Sequence, residues 1–258
     1  MTLFSLLIGI GGSLGLLQVA RRVPTEEMLS WTAAGLSVLA AGLAGARLNF
    51  ALLNPVFFNT APLDVLRFWL GGLSWPGALL FALLALVIAS LILRQPFALA
   101  ADRLCPIFLA IAIMAWLGCS QAGCAYGKET LQELPWALPL LDAQGALVYR
   151  WPLQLTAAAS LLLIIWRIER RSAALLKITG MQAYIFGLAL ALHTLFFSWL
   201  RVDHPLIYRG VRLDLAAAGG LAVLCLLGLT WLGFRHLRVS LSNKASGTSR
   251  ESWLSPHD

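Results

Sequence analysis
Ala115–Thr130 reads A-W-L-G-C-S-Q-A-G-C-A-Y-G-K-E-T. An apolar run ends here in a Gly-rich turn that carries Cys119, Cys124 and Tyr126. Glycine lets a backbone turn sharply and approach a ligand closely. Irregular backbone at membrane depth needs protein or a water-filled cavity around it. The stretch therefore reads either as the rim of a polar cleft beside lipid or as a plain helix-ending turn.

The rest of the chain decides that lipid is near. Of 258 residues, 59% are hydrophobic and 12% charged, about half the charge of a soluble domain. This is the composition of an all-α integral membrane protein. The net charge of +7 fits the excess of Lys and Arg that membrane proteins carry in cytoplasmic loops, and no nucleic-acid partner is inferred from it. A span takes about 20 mostly apolar residues. Seven candidates follow, at Thr2–Ala20, Met28–Leu53, Leu70–Leu93, Leu104–Gly118, Trp151–Trp166, Met181–Leu200 and Leu213–Phe234. The first lacks the positive start and small-residue cleavage site of a signal peptide and is read as a helix. Pro76 suits the first turn of the third, where its missing N–H costs nothing. Residues 1–234 thus form one membrane unit, and 235–258 a polar, Ser-rich, mobile tail.

Loop charge sets the orientation. The 1–2, 3–4 and 5–6 loops and the tail hold about 12 of the 19 Lys and Arg; the other loops hold about 7. The richer side is expected to be cytoplasmic, with the N-terminus outside and the C-terminus inside. Arg47, the Gly71–Gly77 stretch, the Gly-rich turn and the polar loop with Arg201, Asp203, His204, Arg209 and Arg212 then gather on the outer side.

Six motifs, in order, resemble those of the prolipoprotein diacylglyceryl transferases. G-A-R-L-N-F at Gly45–Phe50 is similar to that family's G-A-R-L-x-Y. P-L-D-V-L-R-F-W-L-G-G-L-S at Pro62–Ser74 resembles its P-L-E-I-L-R-I-W-x-G-G-L-S. D-R-L-C-P at Asp102–Pro106 resembles its D-x-x-x-P, and G-C-S-Q-A-G-C-A-Y-G at Gly118–Gly127 a Cys-rich variant of its signature. W-P-L-Q-L at Trp151–Leu155 and W-L-R-V-D at Trp199–Asp203 resemble H-P-T-Q-L-Y and F-L-R-x-D. The resemblance implies a multi-pass protein of the bacterial cytoplasmic (inner) membrane. It implies transfer of the diacylglyceryl group of phosphatidylglycerol to the thiol of a lipobox cysteine in a prolipoprotein, with release of glycerol phosphate. No cofactor or metal is implied.

The chain departs from the family where charge matters. Pro76 stands for the histidine of H-G-G, and Trp116 for the arginine that opens the signature. Cys119 and Cys124 stand for the signature's asparagine and glutamate. Thr194 and Ser198 stand for an arginine and a glutamate of the sixth span. The alternative to an enzyme is thus an inactive relative that binds lipid or joins a membrane complex.

Such a reaction needs a cation for the phosphate and a base for the thiol, whose thiolate is the nucleophile. Arg201 and His193 are the catalytic candidates. His193 is the ionisable group within the sixth span, and a buried, satisfied histidine is its structural alternative. Arg47, Gly71, Gly72, Gly118, Gly123, Tyr126, Gly127, Gln154 and Asp203 are the lipid-binding candidates. Against them stand pairing of Arg47 with Asp64, an Arg201–Asp203 ion pair, and helix–helix bonding by Gln154. Cys119 and Cys124 either bond or stay free, which geometry decides. No His or carboxylate accompanies them at metal-ligand spacing.

Overall fold
A computed structural model describes residues 3–68, 71–131, 134–141, 145–172, 177–203 and 206–251. Thr2, Leu70, His204 and 252–258 of the tail lie outside the described residues. The elements are α1 (Leu3–Arg22), α2 (Met28–Leu53), a short α3 (Pro55–Thr60), α4 (Trp75–Ile92), α5 (Phe97–Ala122), α6 (Leu153–Arg171), α7 (Met181–Leu200) and α8 (Leu213–Glu251). Two antiparallel hairpins sit in the loops: β1 (Leu138–Leu141) with β2 (Leu147–Arg150), and β3 (Ile207–Tyr208) with β4 (Val211–Arg212). The all-helical expectation thus omits two small ribbons in the polar connections.

Among the described residues, six helical segments are long and apolar enough to cross a membrane: α1, Thr25–Leu53, α4, α5, α7 and the Leu213–Arg235 part of α8. Seven were expected. The exception is α6, whose apolar stretch runs into Arg167, Glu169, Arg170 and Arg171.

The expected fourth span, Leu104–Gly118, is too short. Helix α5 begins at Phe97 and passes through Pro106, which neighbouring helices make tolerable in a membrane span. The charges Asp102 and Arg103, which look like a boundary, are inside the helix because each has a partner. The Asp102 carboxylate accepts the Gly180 and Ala183 N–H groups at 2.5 and 2.7 Å, capping the start of α7. Arg103 pairs with Glu27 and lies over the Trp31 ring. The tail also differs from expectation, since α8 continues as helix to Glu251. An existing helix propagates with little cost through Ser, Asn, Lys and Ala.

The main core joins α1, α2, α4 and α5 through Val19, Trp31, Val38, Leu86, Leu104 and Ile107. Leu153 and Ala157 of α6 pack with Phe197 of α7, Trp116 and Leu200. Outward-facing Leu84, Ile88, Leu91 and Ile92 of α4 are exposed, a surface that only lipid solvates well. Phe4 packs on Gly118, while Arg22, at the other end of α1, pairs with Glu169 at 3.0 Å. The start of α1 and the end of α5 therefore share one end of the bundle.

Small residues set the closest crossings, as in membrane bundles generally. A Cβ on Gly77 would lie 2.4 Å from the Gly45 carbonyl oxygen, a backbone atom that cannot swing aside. Gly77→Ala is expected to destabilise the protein by roughly 1–3 kcal/mol, seen as a lower melting temperature in detergent. Gly219→Ala, which meets nothing within 4 Å inside α8, should not lower the melting temperature and is expected to raise it slightly, since alanine favours helix over glycine by about 0.5–1 kcal/mol.

Candidate functional site
The Gly-rich turn is held from four directions. Helix α5 stops because Gly123 takes φ +65°, the left-handed conformation that glycine adopts without penalty. The Cys124 N–H donates to the Cys119 carbonyl at 3.1 Å, and the two side chains form a disulfide. Geometry thus closes the alternative left open by the sequence. Ala125 also lies at positive φ, +52°, which costs a residue with a Cβ about 1–2 kcal/mol. Its N–H is fixed by Asp203 Oδ2 at 2.9 Å.

The other restraints come from α6, the segment after α7, and β2. Gln154, 1% exposed, donates through Nε2 to the Cys124 carbonyl at 3.0 Å. The Val202 N–H donates to the Tyr126 carbonyl at 3.0 Å. Arg150 donates to the Gly127 carbonyl at 3.3 Å and to Glu129 at 3.1 Å, with its guanidinium 4.2 Å from the Tyr126 ring centroid. Tyr126 and Gly127 are buried beneath these contacts.

Asp203 joins the turn to a chain of alternating charges. Arg201 grips the Asp203 carboxylate with Nε and Nη2, a bidentate fork. Arg201 Nη1 points toward Asp214 Oδ2, 3.8 Å away. Asp214 accepts both Nε and Nη2 of Arg212 at 3.3 and 2.9 Å, and Arg212 Nη2 also donates to the Ser198 carbonyl at 2.6 Å. The bond to Asp214 raises the Arg212 pKa above its already high ordinary value, so this cation never neutralises. Arg150, Arg212 and Asp214 were not among the candidates. The signal for two of them is the repeat of R-x-D at Arg201–Asp203 and Arg212–Asp214.

Arg47 occupies a separate position. It is 6% exposed. Its Nε donates to the Val65 carbonyl at 3.1 Å, Nη1 to the Gly71 and Gly72 carbonyls at 2.5 and 3.3 Å, and Nη2 to the Asp64 carbonyl. The Asp64 carboxylate pairs instead with Arg67 at 2.9 Å. Gly71 and Gly72, at φ +89° and +68°, aim their carbonyls at this guanidinium. A cation that looks free in the sequence therefore organises the 64–72 connection. Gly118 is a packing glycine, since a Cβ there would meet the Phe4 ring at 2.7 Å.

His193, 5% exposed, lies against Phe197 and Trp116, with ring centroids 4.5 and 6.2 Å away. Its Nε2 is 3.0 Å from the Ala157 carbonyl and 3.1 Å from Ser160 Oγ. A carbonyl only accepts, so Nε2 carries the proton. Nδ1 is then a bare lone pair, buried without a protein partner. Arg201 lies about 12 Å further along the α7 axis at 1.5 Å per residue. A groove of about 390 Å³ runs along Ser5, Leu6, Gly9, Ile10, Ser13 and Leu14 of α1; no candidate residue lines it. The structure thus joins Arg201, Asp203, Gln154, Tyr126, Gly123 and Gly127 in one assembly, and leaves Arg47, Gly71 and Gly72 in another.

The family model for prolipoprotein diacylglyceryl transferase matches residues 1–233. The chain belongs to the prolipoprotein diacylglyceryl transferase family. It is 30% identical over 203 residues to the phosphatidylglycerol–prolipoprotein diacylglyceryl transferase of Azotobacter vinelandii, covering 70% of each chain. It is 32% identical over 130 residues to the enzyme of that name from Polynucleobacter asymbioticus, covering 47% of this chain and 49% of that one. A similar match to the Gluconobacter oxydans transferase is 30% identical over 145 residues, 55% of this chain and 49% of the relative. The chain thus spans about half the length of most curated relatives it matches. The Gly-rich signature and the R-x-D segment after the sixth expected span, far apart in sequence, meet at Asp203.

The disulfide is directly testable. Alkylation of the denatured, unreduced protein should modify two of its four cysteines, Cys105 and Cys225. Alkylation after reduction should modify all four, read as intact mass.

Proposed function
We propose that this chain transfers the diacylglyceryl group of phosphatidylglycerol to the thiol of a prolipoprotein cysteine in the bacterial cytoplasmic membrane. The observation that carries this reading is the cationic assembly at the Gly-rich turn. Arg201 is gripped by Asp203 through Nε and Nη2, while its Nη1 lies outside that fork and faces the Asp214 carboxylate at 3.8 Å. A preorganised donor of this kind stabilises charge that develops on a departing phosphate. Asp203, Gln154, Tyr126, Gly118, Gly123 and Gly127 shape the backbone around it. His193 presents the Nδ1 lone pair to the acceptor thiol. The proton passes from sulfur to Nδ1, the sulfur bonds to the glyceryl carbon, and the carbon–oxygen electron pair leaves with the phosphate.

The topology that goes with this reading has seven crossings, the N-terminus outside and the 235–258 segment in the cytoplasm. Two contacts favour α6 as the seventh crossing. Its first turn holds the Gly-rich turn through Gln154, while Glu169 near its end pairs with Arg22 at the opposite end of α1. Arg167, Arg170 and Arg171 then snorkel to the interface.

A second reading is favoured by how fully the cations are paired. Arg47 is bonded to four carbonyls, and Trp116, at the position of a family arginine, packs on His193 and Phe197. That arrangement suits a non-catalytic lipid-binding protein or a subunit of a membrane complex.

One assay separates the two. Purified protein is incubated with labelled phosphatidylglycerol and a lipobox peptide, and the peptide mass is followed. The transferase reading expects a gain of one diacylglyceryl group. Arg201→Ala should slow it about 100-fold or more, and His193→Phe by a factor on the order of 100. No gain, with phospholipid still bound to the purified protein, overturns that reading in favour of the second.

A further inference from the structure
Helices α7 and α8 are both apolar enough to cross a membrane, and the chain between them runs from Arg201 to Arg212. That connection therefore lies at a membrane surface. Its last part is the β3–β4 hairpin, in which Ile207 pairs with Arg212 and Tyr208 with Val211. Arg209 and Gly210 turn the chain at φ +48° and +80°. Two positive φ values in succession make the tight turn whose twist matches antiparallel strands.

Three features of this ribbon do not suit water. Ile207, Tyr208 and Val211 are 58%, 52% and 55% exposed, although the ribbon has no core of its own, and isolated hairpins are marginal in water. Phe196 and Trp199 in the last turn of α7, and Val202 just after it, are likewise exposed apolar side chains. Arg209 makes no ion pair among the described residues; its guanidinium lies 5.4 Å from the Tyr208 ring centroid. Aromatic and aliphatic side chains with one free cation above them are the pattern of a headgroup boundary, where Tyr sits at the interface and Arg reaches phosphate.

We propose that the β3–β4 hairpin rests within the lipid leaflet beside the Gly-rich turn, with Ile207, Tyr208 and Val211 at the level of the upper acyl chains and the long Arg209 side chain snorkelling back past Tyr208 to a lipid phosphate. The ribbon also carries Arg212, which holds Asp214 and the Ser198 carbonyl. Its seat in the leaflet thereby fixes one member of the charge chain that ends at Arg201. The inference concerns where the ribbon rests and does not depend on whether the chain transfers a lipid group.

The test uses the full chain with Cys105→Ala and Cys225→Ala, so that an introduced cysteine is the reactive thiol. Nitroxide labels are placed at Ile207→Cys and Val211→Cys, with Leu192→Cys as a lipid-facing reference and Lys128→Cys as an exposed polar one. The protein is reconstituted in vesicles of phosphatidylglycerol and phosphatidylethanolamine. Collision rates with oxygen and with a water-soluble nickel complex are measured by electron paramagnetic resonance. The expected result is an oxygen-to-nickel ratio at 207 and 211 several-fold above that at 128 and close to that at 192. Adding Arg209→Glu should lower the ratio at 211. Nickel access equal to that at 128 would place the ribbon in water and overturn the proposal. Low access to both probes would mean that protein covers it, which overturns the proposal equally.

Discussion

A carboxylate largely withdrawn from water needs both its charge and its lone pairs answered, and Asp203, with 10% of its side chain exposed, meets both needs through the Gly-rich turn and Arg201. One oxygen takes the Ala125 N–H; both take the Arg201 fork. The first contact holds a residue with a Cβ at positive φ, and so shapes the turn. The second fixes the direction of the guanidinium just past the end of α7. Backbone shape and cation placement therefore share one carboxylate. Removing one partner of such a buried pair leaves an uncompensated charge, which is costlier than never having had the pair.

Where the family resemblance places arginines, this chain places Trp116 and Thr194. The consequence is visible in the packing. Trp116 joins Phe197, Leu153, Ala157 and Leu200 in an apolar cluster, and His193 sits against it. Positive charge has been withdrawn from the mid-depth of α5–α7 and kept at the end of the bundle, in Arg150, Arg201 and Arg212. An imidazole among aromatic rings with a bare lone pair receives a hydrogen-bond donor, whereas a pair of arginines receives an anion. The arginines and the histidine are thus separated by about two helical turns along α7.

Much of the fold was legible because lipid imposes a coarse rule on composition. Long apolar runs gave five helices whose bounds lie within a few residues of those observed. The failures came from charge. Asp102 and Arg103 read as the edge of a span, yet they lie inside α5, because residues far along the chain supply their partners. Arg167–Arg171 extend α6 beyond its apolar stretch for the same reason in reverse, since a helix may carry charge at the end that leaves the lipid. The candidate site was legible as residue types at one end of the bundle. Its wiring was not. That Arg47 turns to backbone carbonyls rather than to the Asp64 carboxylate, and that Asp203 reaches back to Ala125, depends on tertiary neighbours that spacing along the chain does not encode.

The Asp102 cap on α7 has a consequence for biosynthesis. Gly180, its acceptor's partner, lies 78 residues further along the chain. At ribosomal speeds of about 5–20 residues per second, Asp102 waits roughly 4–16 s for the N–H groups that neutralise its burial. During that interval α5 carries an unanswered carboxylate near one end of an otherwise apolar helix. The nascent helix must hold that end in water or against the insertion machinery until α7 arrives, so the bundle closes only after its second half has been made.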